Sequence, residues 1–289
     1  MVKKHLPARK ESMENTPLIE QKYQTLRKIL SFFGRIAVAF SGGVDSTFLL
    51  DAISEEVGRE NTLAVIAPSF LVPLGETKQA QKIAIDFGVP FLLIDFDPFL
   101  IPEFAQNHPD RCYWCKKTLF QAIQGVANSQ DISTVVDGSN IDDEQDYRPG
   151  MKALEELGVQ SPLRKAGLTK TDIRTLSRQH GLSTWNQPSS PCLATRIPFG
   201  TPVTREKLTR IENAEAVLHH LGFPVCRVRD HDTIARIEIP SEQITDCFSP
   251  AIRHIISDHL KQLGYLYVAL ELGGFVSGNM NKTVLKGYE

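Results

Sequence analysis

Two glycines flanked by serines, in Ser41-Gly42-Gly43-Val44-Asp45-Ser46, make the most distinctive string in the chain. Glycines let successive backbone N–H groups turn toward one anion, and serine hydroxyls add donors. A helix starting there adds positive potential. The combination suits a pyrophosphate. It is not a Walker A loop, because no Gly-Lys-Ser/Thr follows. A second string, Asp137-Gly138-Ser139-Asn140-Ile141-Asp142-Asp143, continues to Asp146-Tyr147-Arg148-Pro149-Gly150. Its carboxylates suit Mg²⁺, and Arg148 suits bidentate pairing with a phosphate. A solvated acidic turn is the plainer reading of the same residues.

Sulfur chemistry has three candidate residues. Cys192 lies in Pro191-Cys192-Leu193-Ala194-Thr195-Arg196-Ile197-Pro198-Phe199-Gly200-Thr201-Pro202. A loop cysteine beside a basic residue is where a thiolate is stabilised and reachable, so Cys192 is a candidate nucleophile, sulfur source or metal ligand. Arg111-Cys112-Tyr113-Trp114-Cys115-Lys116 supplies a C-x-x-C, which serves a metal, a cluster or a redox disulfide, or is simply a pair of reduced thiols. Zinc wants four ligands, and only Cys192 offers a third; a [4Fe-4S] cluster with one open iron fits that count better. Cys226 and Cys247 sit in apolar surroundings and read as core. Arg227 and Arg229 alternate along one expected strand, so they share a face that suits a phosphate or carboxylate, or merely solvent. Glu215 on the preceding helix fits a site carboxylate and an exposed side chain equally. The eight histidines show no ligand spacing, and His219-His220 reads as surface.

The elements that must position these residues alternate. Ile36 to Phe40 reads as a strand, Ser46 to Val57 as a helix ended by Gly58, and Leu63 to Ala67 as a strand. Ala80, Ile83, Ala84 and Phe87 recur at helical spacing before Gly88 and the strand Phe91 to Phe96. A helix over Lys116 to Asn128 and a strand over Thr134 to Asp137 follow. Strands alternating with helices predict βαβ units in a parallel sheet, with ligands at the carboxyl ends of the strands. The motifs should therefore sit just after strands. Thr169 with Asp172 marks a helix start running to His180. Past a Pro-rich connector the expected elements are a helix from Thr204 to Leu221 and strands Val225 to Arg229 and Ile234 to Ile239. A helix at Ile252 to Leu263 and a strand at Tyr267 to Leu270 complete a small α+β unit.

At 289 residues, with about 100 to 200 per domain, the chain predicts two domains. These are a flexible tail over 1–18, an α/β domain over 19–200 and a smaller α+β domain over 201–289. Hydrophobic residues at 42% and charged residues at 23% are ordinary globular usage. No apolar run approaches the roughly 18 residues of a membrane span, and no signal peptide is visible, which points to the cytoplasm. A net charge of -2 weighs against nucleic acid. Five cysteines without an export signal argue for metal or catalytic thiols over disulfides.

The string SGGVDS resembles the PP-loop of the ATP pyrophosphatase superfamily, which cleaves ATP to AMP and pyrophosphate while adenylating a substrate. By that resemblance Ser41, Gly42, Gly43, Val44, Asp45 and Ser46 bind ATP, Asp45 helps hold Mg²⁺, and Gly138, Asn140, Asp142 and Arg148 form the second nucleotide-side loop. With RCYWCK, DGSNIDDEQDYRPG, PCLATRIPFGTPVT and RVRDHDTIARIEI, the chain over roughly residues 20 to 285 resembles the LarE family, sulfur insertases of nickel-pincer nucleotide cofactor synthesis. The resemblance implies adenylation of a carboxylate on pyridinium-3,5-biscarboxylic acid mononucleotide, pyrophosphate release, and attack by sulfur to leave a thiocarboxylate. It implies two styles. In one, a cysteine at the position of Cys192 gives up its sulfur and becomes dehydroalanine. In the other, Cys112, Cys115 and Cys192 hold a [4Fe-4S] cluster whose open iron carries sulfide. All three thiols are present, which matches the second style, though the first still fits Cys192. By the same resemblance Arg227, Arg229 and Glu215 belong to the site, and the protein is a homo-oligomer acting on a small nucleotide. The rival readings are a tRNA thiolase, an ammonia-using amide synthetase, and a non-catalytic AMP or ATP sensor.

Overall fold

The computed structural model describes residues 16–69, 71, 75–145, 149–188, 191–276 and 280. The tail over 1–15 and Arg148 lie outside the described residues. The first element among the described residues is α1 (Thr16–Leu30), so residues 16–18, expected in the tail, are helical. Four short strands then form a parallel sheet: β1 (Ile36–Ala39), β2 (Thr62–Ile66), β3 (Phe91–Leu93) and β4 (Thr134–Val136), in the order β3-β2-β1-β4. The connections are α2 (Val44–Val57), α3 (Glu76–Phe87), the short α4 (Pro102–Ala105) and α5 (Arg111–Ser129).

The central strands are apolar apart from Thr62 because both faces are covered. Alternation in β1 sends Ile36 and Val38 into a core with Leu26 and Leu30 of α1 and Phe48, Leu49 and Ile53 of α2. Ala37, one residue out of phase, faces a second core with Phe120 and Ile123 of α5 and Leu154 of α6 (Pro149–Glu156). After the short α7 (Pro162–Lys165), α8 (Lys170–Gln179) packs against α2. Its capping box is complete: the Thr169 side chain accepts the Asp172 N–H, and the Asp172 carboxylate accepts the Thr169 N–H.

A second sheet runs β5 (Arg227–His231), β6 (Ile234–Glu238) and β7 (Tyr267–Leu270), with β5 antiparallel and β7 parallel to β6. Helices α9 (Arg205–His220) and α10 (Pro250–Gln262) pack against it around Phe223, Val228 and Ile237. The architecture is thus α/β with a smaller α+β part. Helix α9 joins the two: Leu208 and Ile211 pack with Phe104, Leu193 and Ile197, while Ala214 and Leu218 pack in the second unit. Among the described residues no helix is long and apolar enough to cross a membrane.

Two differences from the sequence reading touch the site. Helix α2 begins at Val44 rather than Ser46, which places Asp45 and Ser46 in its first turn. Helix α5 begins at Arg111 rather than Lys116, so the C-x-x-C opens a helix and does not follow a strand.

Candidate active site

The loop after β1 is closed by its own serines. Ser41 Oγ and Ser46 Oγ lie 3.1 Å apart, Ser46 Oγ donates to Gly43 O at 3.2 Å, and Gly43 N donates to Ser41 Oγ at 3.4 Å. Gly42 has φ +76°, and a Cβ there would lie 3.0 Å from Ala80, so backbone conformation and close helix approach both require glycine. No side chain caps α2, which leaves its first N–H groups directed at the loop. Gly138 serves the same end from the other loop, since a Cβ on it would sit 3.1 Å from Ser46 N.

Asp45 is ion-paired through Oδ2 with Lys170 Nζ, while its Oδ1 is buried with no hydrogen-bond partner. Burial raises its pKa, Lys170 opposes that rise without cancelling it, and Asp143 adds to it. Lys170 was not singled out in the sequence. It stands 125 residues from Asp45, and only the helix start at Thr169 hinted at its place.

The second loop divides its work. The Asp137 carboxylate is buried and accepts from Ser139 Oγ and, at 2.6 Å, from Ser161 Oγ. Asn140 turns inward, its Oδ1 accepting the Asp142 N–H at 3.0 Å and its own N–H donating to Asp143 at 2.9 Å. Asp142 accepts the Lys170 N–H at 2.8 Å and so anchors the start of α8. Of the four residues expected here, Gly138 borders the nucleotide loop, Asn140 and Asp142 hold the loop in shape, and Arg148 lies outside the described residues. Gly138 lines the cavity together with Asp137, Ser139 and Asp143.

That cavity, about 410 Å³, joins the motifs: Ser41, Gly43, Asp45 and Ser46 share its wall with Lys116, Cys115 and Cys192. Cys112 and Cys115, three apart on α5, face one side of the helix. Arg111 is buried, bonds Asn107 Oδ1 and Ala194 O, and lies 4.5 Å from the Phe199 ring centre, which fixes the C-x-x-C against the Cys192 loop. The thiols act on one another. Burial first, then Cys192 and Cys112, push Cys115 far up, and burial followed by Cys112 raises Cys192.

The expected thiolate beside a basic residue is therefore corrected. Arg196, the cation of that loop, is buried and committed elsewhere: Nε and Nη2 reach Glu215 at 2.9 Å each, and Nη1 reaches Pro191 O at 2.6 Å and Cys192 O at 3.1 Å. Burial raises the Cys192 pKa, and Arg111 and Arg196 only partly oppose that rise. Glu215 also accepts the Val228 N–H at 3.0 Å, so it orients the Cys192 loop through Arg196. Removing one partner of a buried ion pair costs about 3–5 kcal/mol. Arg196→Leu should lose stability of that order in urea denaturation; a loss under about 1 kcal/mol would show that the pair does not hold the loop.

Arg229 is paired with buried Glu238 at 2.6 Å and donates to Thr195 O at 3.0 Å, so it too grips the Cys192 loop. Arg227 donates to Cys226 O at 2.6 Å and stacks on Phe275. Its pKa is lowered by burial and then by Arg196 beside it. Cys226 and Cys247 are buried core cysteines, as expected.

No protein-family model matches the chain. It is 38% identical over 92% of its length, and 95% of the relative's, to the pyridinium-3,5-bisthiocarboxylic acid mononucleotide synthase of Lactiplantibacillus plantarum. The chain belongs to the LarE family. An uncharacterized protein of Synechocystis is 36% identical over 93% of the chain and all of that relative. The argininosuccinate synthase of Natronomonas pharaonis is 27% identical over 51% of the chain and 39% of that protein, which ties LarE proteins to the wider PP-loop enzymes. As a LarE protein the chain is an ATP-dependent enzyme.

Proposed function

We propose that the chain uses ATP to adenylate a carboxylate of pyridinium-3,5-biscarboxylic acid mononucleotide and replaces the activated oxygen with sulfur. The observation that carries this reading is the single cavity bordered by both the PP-loop and the thiols Cys115 and Cys192. The product named for the Lactiplantibacillus plantarum relative supports the acceptor class. A carboxylate oxygen bonds to the α-phosphorus of ATP, and pyrophosphate leaves. Sulfur then bonds to the acyl carbon, and the bond to AMP breaks. Adenylation makes that oxygen a good leaving group. If the sulfur is that of Cys192, the Cβ–Sγ bond breaks with loss of the α-proton, leaving dehydroalanine.

Ser41 to Ser46 and the start of α2 hold the phosphates, with Lys170 beside them. Mg²⁺ fits the unpartnered Asp45 Oδ1 and would be held by Asp45 with Asp143, where it supplies neutralisation of phosphate charge. A [4Fe-4S] cluster fits three soft thiol donors gathered at one place; Cys112, Cys115 and Cys192 would hold it, with one iron left open for an exchangeable sulfide. Glu215 positions Arg196. The chain divides near residue 200 into a nucleotide unit over 19–200 and a substrate and homo-oligomerisation unit over 201–289.

Arg227 recognises the acceptor's phosphate or second carboxylate, while Arg229, held by Glu238 and Thr195 O, supports the Cys192 loop beside it. An anion beside Arg227 offsets its burial and its repulsion from Arg196. Losing a charge-assisted hydrogen bond costs about 1.5–3 kcal/mol, so Arg227→Ala should raise the acceptor KM about 10- to 100-fold and leave the ATP KM within about twofold. Equal rises for both ligands would mean misfolding. The reading itself is tested by mass spectrometry of the acceptor after incubation with ATP: exchange of one oxygen for sulfur, with AMP and pyrophosphate formed together, is expected. Pyrophosphate release without any sulfur in the product would overturn it.

A further inference from the structure

Away from the ATP cavity, Asp51, Glu55 and His180 bring one imidazole nitrogen and two carboxylate oxygens within 4.8 Å of one another. None of the three lines that cavity. Asp51 and Glu55 lie one turn apart on α2 and project from one face. His180 ends α8, which packs on α2, and its Nδ1 faces Asp51 Oδ2 at 2.8 Å. The histidine spacing in the chain hides this, because His180 and Asp51 are 129 residues apart.

The group is held from outside. Tyr23 and Phe48 meet the His180 ring edge-on, with centroids 5.2 and 5.7 Å away, and Tyr23 Oη donates to Glu55 Oε2 at 3.2 Å. Hydrogen bonds of that kind orient ligating carboxylates. Among the described residues no lysine or arginine pairs with Asp51 or Glu55: Arg27 is taken by Glu56 and Lys22 by Asp172. Two carboxylates thus face one imidazole with no fixed cation between them.

We infer that Asp51, Glu55 and His180 form a binding site for one divalent transition cation of the zinc, nickel or cobalt type. One nitrogen with two oxygens suits that borderline class, whereas Mg²⁺ and Ca²⁺ favour oxygen alone. Ligands about 2.0–2.2 Å from a shared ion sit up to about 4.4 Å apart, so small side-chain rotations close the site. Glu55 is exposed, which leaves an entry path and open positions for water. Such an ion would clamp α1, α2 and α8 together behind the nucleotide loop.

The test uses the full chain with Cys112, Cys115 and Cys192 changed to serine, so that thiols do not compete, stripped by chelator and titrated with Co²⁺ by calorimetry and visible absorption. One Co²⁺ per chain is expected, without a sulfur-to-cobalt charge-transfer band. Affinity should fall at least about tenfold in Asp51→Asn, in Glu55→Gln and in His180→Ala. Co²⁺ should raise the Tm of the parent and not of the variants. If the serine chain does not fold, the same loss is read in the unsubstituted chain as one equivalent fewer bound in Glu55→Gln. No saturable binding below millimolar Co²⁺, or unchanged binding in folded Glu55→Gln and Asp51→Asn, would overturn the inference and leave only a His180–Asp51 ion pair.

Discussion

Asp45→Ala is expected to abolish pyrophosphate release, by about 10³-fold or more, and to leave the fold as stable as before or more so. A cation at developing phosphate charge is worth several kcal/mol, and each 1.36 kcal/mol is about tenfold in rate. The stability half follows from the geometry. A buried carboxylate oxygen without a partner is a cost to the fold, which the raised pKa of Asp45 registers. Because that pKa is raised, the group weakens the fold as pH climbs from its ordinary value through the raised one, and alanine removes the effect. Lys170, partly exposed, can turn to water when its partner is lost. A purely structural acid gives the opposite pattern, lower stability with activity kept in proportion to folded protein. Pyrophosphate assay and thermal denaturation on the same preparation decide the matter, and unchanged release would remove Asp45 from the site.

Cys192→Ala is expected to stop sulfur transfer while pyrophosphate is still released. The phosphate-binding loop, Lys170 and Asp143 do not depend on that sulfur, so activation of the acceptor continues and the adenylate waits for a nucleophile. The loop itself should persist, since Arg196 grips backbone oxygens of Pro191 and Cys192 and not the thiol. Product thiocarboxylate, followed by mass, should drop to background. Thiocarboxylate formed at the normal rate would rule out both sulfur routes. Cys112→Ala and Cys115→Ala separate the routes: both stop transfer if three thiolates share a cluster, and neither does if Cys192 alone gives up its sulfur.

Much of this site is visible in the chain wherever its parts are local. Ser41 to Ser46 follow β1 and run into the first turn of α2, and Thr169 with Asp172 closes its capping box. What escapes is long-range pairing. Nothing near Lys170 marks it as the partner of Asp45, and Arg196 reads as a free cation beside Cys192 until the fold supplies Glu215, 19 residues on. The early start of α5 escapes for a related reason: buried Arg111 is stabilised by Asn107, Ala194 and Phe199, all contacts of tertiary structure. Helix α1 is absent from the sequence reading, although Ile19, Tyr23, Leu26 and Leu30 recur at helical spacing.

The sheet order has a consequence for synthesis. β1 carries the nucleotide loop, yet its two neighbours are β2, the next strand made, and β4, the last of the four. Until residues 134–136 leave the ribosome, one edge of β1 is open, and open edges invite pairing with other chains. The loop that meets ATP is translated early, but the strand beneath it is flanked on both sides only when nearly half the chain exists, and Asp137 and Gly138 arrive in the same moment. A nascent chain halted before that point carries the whole hexapeptide and no finished place to put a nucleotide.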